Sequence, residues 1–140
     1  REDLMAWCEA NGVDFLFGQV KQRPGKPFMA GLRGACHLFC LPGNPMSSMA
    51  CLHRFVLPFL LRAEGRPTGE RQVRLTVAWS FAPALALHLP VCLQGTDATP
   101  CPSNGSGDWA GAAAADGIIE YPETMAASPV GATFPFYPYW

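Results

Sequence analysis

Three stretches of this 140-residue chain combine residue types that could meet an anion. Arg23 and Lys26 flank Pro24-Gly25, and a turn between two cations lets both heads converge on one point. Prolines at 24 and 27 limit the freedom that such a loop would lose on binding. In Leu41-Pro42-Gly43-Asn44-Pro45-Met46-Ser47-Ser48, Gly43 is free to take positive φ and Asn44 is a favoured N-cap. Pro45 then suits the first helical position, where its missing N–H costs nothing. A helix start exposes unpaired N–H groups, so Gly43, Asn44, Ser47 and Ser48 are candidate oxyanion contacts. Ser103-Asn104-Gly105-Ser106-Gly107-Asp108 is the third stretch, two hydroxyls beside glycines that allow close backbone approach. Each has a plainer reading: a solvated turn, a well-capped strand-to-helix junction, and a loop whose Asp108 caps a following helix. The residues alone leave both readings open.

Other chemistries find less support. His37, His53 and His88 are scattered, no nucleophile–base pair can be named, and the carboxylates form no evident cluster for a divalent ion. Cys36, His37 and Cys40 lie on a short strand, where neighbours point to opposite faces, so they do not read as a metal site. The six cysteines include no C-x-x-C pair, and four of them stand among apolar residues, as free thiols of a reducing, cytoplasmic compartment would. With a net charge of −1 and no long basic patch, nothing in the composition points to nucleic acid or a membrane surface. No apolar run is long enough to span a bilayer.

The elements that must position these stretches follow from local pattern. Residues 1–11 read as a helix stopped by Gly12, and 13–20 as a strand with Phe15-Leu16-Phe17 as its buried centre. The segment 21–27 reads as an irregular loop. Strands at 28–32 and 37–41 lead to a helix from Pro45 to about Ala63 whose apolar residues exceed one stripe, so it should be covered on more than one side. Pro58 inside it should kink it or end it early. Residues 64–69 are polar and rich in glycine, and form a linker. Beyond them, extended segments at 72–79, 85–93, 118–121 and 132–137 predict a small all-β domain, interrupted by an alanine-rich helix at 109–115. The aromatic tail 134–140 reads either as a last edge strand or as a partner surface.

Gln22-Arg23-Pro24-Gly25-Lys26-Pro27, Leu41-Pro42-Gly43-Asn44-Pro45-Met46-Ser47-Ser48 and Phe55-Val56-Leu57-Pro58-Phe59-Leu60, in this order, resemble the molybdopterin molybdenumtransferase family, which includes the E domain of gephyrin. Leu89-Pro90-Val91, Asn104-Gly105-Ser106-Gly107-Asp108 and Ala115-Asp116-Gly117-Ile118-Ile119 extend the resemblance over nearly the whole chain. It implies an α/β fold: residues 1–63 as the C-terminal half of a three-layer molybdopterin-binding domain, then 70–140 as a small β-barrel-like domain. It further implies insertion of molybdenum from molybdate into adenylylated molybdopterin, with loss of AMP and help from Mg²⁺, in a protein that is a homodimer at full length. By the same resemblance Arg23 and Lys26 contact anionic ligand, Ser47 helps to hold molybdate, and Ser106 is a weaker match to a serine near the same cleft. Ala84-Leu85-Ala86 occupies the region where the family carries an arginine. The acidic segment that supplies Mg²⁺ contacts has no counterpart here, so the chain is expected to be a C-terminal fragment, inactive alone. A rival implication is a non-catalytic, gephyrin-like scaffold that binds partner peptides.

Overall fold

The computed structural model describes residues 2–82, 84–101 and 113–139, without the side chains of Glu2 and Asp3. The loop 103–108 with Ser106, and most of the helix expected at 109–115, lie outside the described residues. The order is α1 (Glu2–Ala10), β1 (Asp14–Phe17), β2 (Gln22–Arg23), β3 (Met29–Arg33), β4 (Cys36–Cys40) and α2 (Pro45–Cys51). A π-helical turn (Leu52–Val56) leads into α3 (Leu57–Ala63). There follow β5 (Arg71–Leu75), β6 (Trp79–Ser80), β7 (Ala86–Gln94), β8 (Asp97–Pro100), β9 (Gly117–Tyr121), β10 (Ala127–Ser128) and β11 (Thr133–Pro138).

The fold is mixed α/β and ends in a closed five-stranded barrel. Strand order β7-β8-β5-β11-β9 closes because β9 pairs back onto β7, from Leu87 opposite Tyr121 to Val91 opposite Gly117. Residues two apart on four of the strands fill the interior, Val73 and Leu75, Leu89 and Val91, Ile119 and Tyr121, Phe134 and Phe136, with Ala98 from β8. The opposite faces of β9 and β11 are also buried, because Ile118, Tyr137 and Tyr139 pack on Ala50 of α2. Burial on both faces removes the polar residues that would have marked a clean alternation. It also places the aromatic tail. β11 lies between β5 and β9, so residues 134–138 are neither an edge strand nor a free surface.

The helical segment 45–63 is covered on two sides, as its apolar residues require. Phe55 stacks on Phe28, centroids 5.0 Å apart, and Phe59 meets Phe39 edge-on at 5.3 Å, which seats the segment on the β1-β3-β4 sheet. On the barrel side, His53 Nδ1 lies 3.0 Å from the Pro138 carbonyl and Arg54 pairs with Glu120. Pro58 does not end the helix. The π-helical turn comes immediately before α3, the Leu57 N–H reaches the Leu52 carbonyl, and the segment continues to Ala63. A wider turn accommodates a residue that cannot donate to the Arg54 carbonyl.

Two other expectations are corrected. Phe15-Leu16-Phe17 is not a buried centre: Leu16 is 65% and Phe17 38% exposed, because β1 is the edge of a three-stranded sheet. The segment 21–27 is not wholly irregular either, since Gln22 and Arg23 pair in parallel with Ala86 and Leu87 of β7.

Candidate functional site

The loop that carries the two cations is built around a buried glutamine. Gln22, 2% exposed, donates from its side-chain amide to the Gly25 carbonyl at 3.2 Å and to the Cys51 sulfur at 3.3 Å. Burial pushes the Cys51 thiol up to about 11, with the Gln22 bond partly offsetting it, so it is a neutral neighbour at physiological pH. Gly25 has φ +97°, and a Cβ there would stand 2.6 Å from both Cys51 Sγ and Gln22 Nε2. Only glycine fits. The Val20 N–H closes the loop onto the Lys26 carbonyl at 3.0 Å, and the Arg23–Pro24 peptide bond is cis. Arg23 and Lys26 are exposed at the ends of this held turn, and neither makes an ion pair with a described residue.

The start of α2 forms the adjoining wall. Asn44, extended at φ −74° and ψ 127°, accepts the Ser47 N–H on its side-chain oxygen at 3.2 Å. Ser47 Oγ lies 3.4 Å from that oxygen, and Ser48 Oγ donates to the Pro42 carbonyl. Several donors expected to face an anion are therefore engaged by the cap itself. Gly43 does not adopt positive φ, and a Cβ on it would meet nothing within 4 Å. Its freedom is not what the turn requires; that role belongs to Gly25.

Between the loop, α2 and the barrel lies a cleft of about 660 Å³, ample for a small ligand. Arg23, Lys26 and Ser47 line it together; Gly43, Asn44 and Ser48 do not. Leu85, Leu87 and Leu89 make the facing barrel wall apolar, at the place where the resemblance expects an arginine. Two polar residues stand in that wall. His88 is 2% exposed, Trp79 is half-buried, and neither His88 Nδ1 nor Trp79 Nε1 has a hydrogen-bond partner among the described residues. Burial holds His88 down at about 4; Glu120 opposes the shift and Arg54 adds to it. It is a neutral imidazole at pH 7.

Sequence reasoning missed Gln22, Trp79 and His88 as site residues. His88 carried one usable signal, as the single polar residue in the run Ala84-Leu85-Ala86-Leu87-His88-Leu89-Pro90.

Residues 6–62 match the family model described as a probable molybdopterin binding domain. The chain is 34% identical over 138 residues to a molybdopterin molybdenumtransferase of Synechocystis sp., a match spanning 94% of this chain and 33% of that protein. A solved molybdopterin biosynthesis MoeA protein of Pyrococcus horikoshii superposes with a TM-score of 0.77 at 31% identity, over 99% of this chain and 35% of that one. The chain resembles MoeA-like proteins of molybdenum cofactor biosynthesis over nearly its whole length. A molybdenum cofactor biosynthesis protein from Pyrococcus furiosus shares the fold, with a TM-score of 0.75 at 21% identity over 99% of this chain and 55% of that one. The chain spans about a third of the length of the curated molybdenumtransferase it matches. Within this molybdenumtransferase-like chain, the family model covers the cation loop and the capped helix start, while the apolar wall with Trp79 and His88 lies beyond it. No helix among the described residues is long and apolar enough to cross a membrane.

Proposed function

We propose that this cleft serves molybdenum cofactor biosynthesis by holding an oxoanion, molybdate, beside adenylylated molybdopterin while the metal is inserted at the dithiolene. The observation that carries the reading is the convergence of Arg23, Lys26 and Ser47 on one cleft. Two cations with no ion-pair partner among the described residues attract a dianion. The buried Gln22 and the glycine turn fix their backbone, so less freedom is lost when it binds. Ser47 Oγ has one long contact, at 3.4 Å, and exchanges it readily for a ligand oxygen.

Among the described residues no group of three or more His, Cys, Asp or Glu side chains is placed to hold a metal ion. The described side chains offer no such set for Mg²⁺, and the reading uses no step through it. The scaffold alternative gains nothing from the aromatic tail, whose residues 134–138 lie within the barrel wall.

Molybdate binding measured by equilibrium dialysis tests the reading. Lys26→Ala and Arg23→Ala should each weaken binding about tenfold, more at low salt than at high, and Ser47→Ala severalfold. Formation of active cofactor by the complete protein should fall in the same order. Unchanged molybdate affinity in both Lys26→Ala and Ser47→Ala would overturn the assignment.

A further inference from the structure

Cys92 on β7 and Cys101, the residue after β8, are free thiols whose sulfurs lie 2.6 Å apart. The barrel brings them together. β7 and β8 run antiparallel with Cys92 opposite Thr99, so Cys101, two residues further on, presents its side chain to the same face. Its N–H still bonds the Pro90 carbonyl at 3.0 Å. The separation exceeds a disulfide bond by only about 0.6 Å, so joining the sulfurs asks for a small side-chain shift and leaves the strand pairing in place. The two thiols are not equivalent. Cys101 is 6% exposed and packs among Ala50, Ile118, Tyr137 and Tyr139, whereas Cys92 is half-buried at the margin of that cluster. Burial, and then Cys92 itself, push Cys101 up to about 12, so it stays protonated and turns its S–H toward the Cys92 sulfur.

We propose that Cys92 and Cys101 are a reversible redox site, in which hydrogen peroxide oxidises Cys92 and Cys101 resolves the product to an intramolecular disulfide. Cys92, the more exposed of the two, attacks one peroxide oxygen as its thiolate. The S–O bond forms, the O–O bond breaks, and the departing hydroxide takes up the proton that the thiol released and leaves as water. The Cys101 sulfur then attacks the Cys92 sulfenic acid: S–S forms, S–O breaks, and the Cys101 proton leaves with the hydroxyl as a second water. Two thiols lose two electrons, and one hydrogen peroxide gains them. A dithiol reverses the bond by exchange and is itself oxidised. Cys101 also lines the cleft beside Met46 and Ser47, so oxidation replaces a thiol of the cleft wall by a disulfide that closes the β7–β8 hairpin.

The test exposes the reduced 140-residue protein to excess hydrogen peroxide, quenches it with N-ethylmaleimide in denaturant, and reads intact mass and non-reducing peptide maps. A peptide pair linked through Cys92 and Cys101 is expected, with all six thiols recovered after dithiothreitol. The same link should form in Cys36→Ser, which removes an exposed competitor. Cys101→Ser should leave Cys92 as a sulfenic acid that dimedone traps, and Cys92→Ser should slow oxidation of Cys101 about tenfold or more. The wild-type measurement requires no variant, so a substitution that fails to fold does not remove the test. Sulfinic acid at Cys92 with Cys101 still alkylated by the maleimide overturns the proposal. So does a disulfide confined to Cys8 and Cys40, the other neighbouring thiols, or to a bridge between two chains. Survival of all six thiols in peroxide overturns it as well.

Discussion

Arg54 in the π-helical turn and Glu120 on β9 form an ion pair that joins the helical segment to the barrel. The guanidinium also lies over the rings of Tyr137, at 4.5 Å, and Phe55, at 4.9 Å. Both side chains are about a quarter exposed, so the pair is neither fully screened nor fully desolvated. A double-mutant cycle with Arg54→Met and Glu120→Gln should return a coupling of about 1 kcal/mol in urea unfolding. Arg54→Met alone should cost more than Glu120→Gln, because it also strips the cover from Tyr137. Equal single costs with no coupling would mean that the contact contributes nothing.

Gly25 and Gly43 make a controlled comparison. Gly25→Ala forces a side chain into positive φ and against Cys51 and Gln22, so it should cost about 2 kcal/mol or more and carry molybdate affinity down with it. Gly43→Ala places its methyl in open space with ordinary backbone angles and should change stability by about 0.5 kcal/mol at most. Thermal unfolding of the two variants decides the matter.

His88 predicts a pH dependence with a definite sign. Its value falls from 6.5 in the unfolded chain to about 4 in the fold, so between those limits the unfolded state binds a proton that the native state does not. The stabilisation is complete above pH 6.5 and is lost as the pH falls toward about 4, by roughly 3 kcal/mol in total. Burial lowers His53 in the same direction, with its Pro138 contact opposing. Facing His88 are Glu120, which opposes the shift, and Arg54, which adds to it. Urea midpoints measured across this range should slope upward with pH, and His88→Leu should flatten most of the slope.

The cysteines should separate by reactivity. Cys92 and Cys101 sulfurs lie 2.6 Å apart as free thiols, and Cys101 is pushed up to about 12 by burial and by Cys92. Cys51 is raised to about 11. At pH 8 both are almost wholly protonated, so timed iodoacetamide labelling read by mass spectrometry should modify exposed Cys36 first and Cys51 and Cys101 last.

Local chemistry was readable where a few adjacent residues decide it. Asn44-Pro45 announced the cap, and Pro24-Gly25 announced a turn with a cation on either side. Relationships that join distant segments were not. Gln22 looks like an ordinary loop residue until Cys51 and the Gly25 carbonyl enclose it, and the pairing of β2 with β7 rests on two residues separated from their partners by more than sixty positions. The strand Asp97–Pro100 has one buried apolar residue, Ala98, too little for any period to show. Phe15-Leu16-Phe17 misled for the opposite reason: its composition suits a buried strand, but its place at a sheet edge leaves most of it exposed.

The pairing of Gln22 and Arg23 with Ala86 and Leu87 also makes one unit of the two walls of the cleft. It ties the cationic end to the apolar end through backbone, and the Ala86 N–H donates to the Lys21 carbonyl at 3.0 Å at the mouth of that joint. The two walls cannot part by a smooth hinge without breaking this splice. Deuterium uptake at Ala86 therefore reports how often this short seam opens.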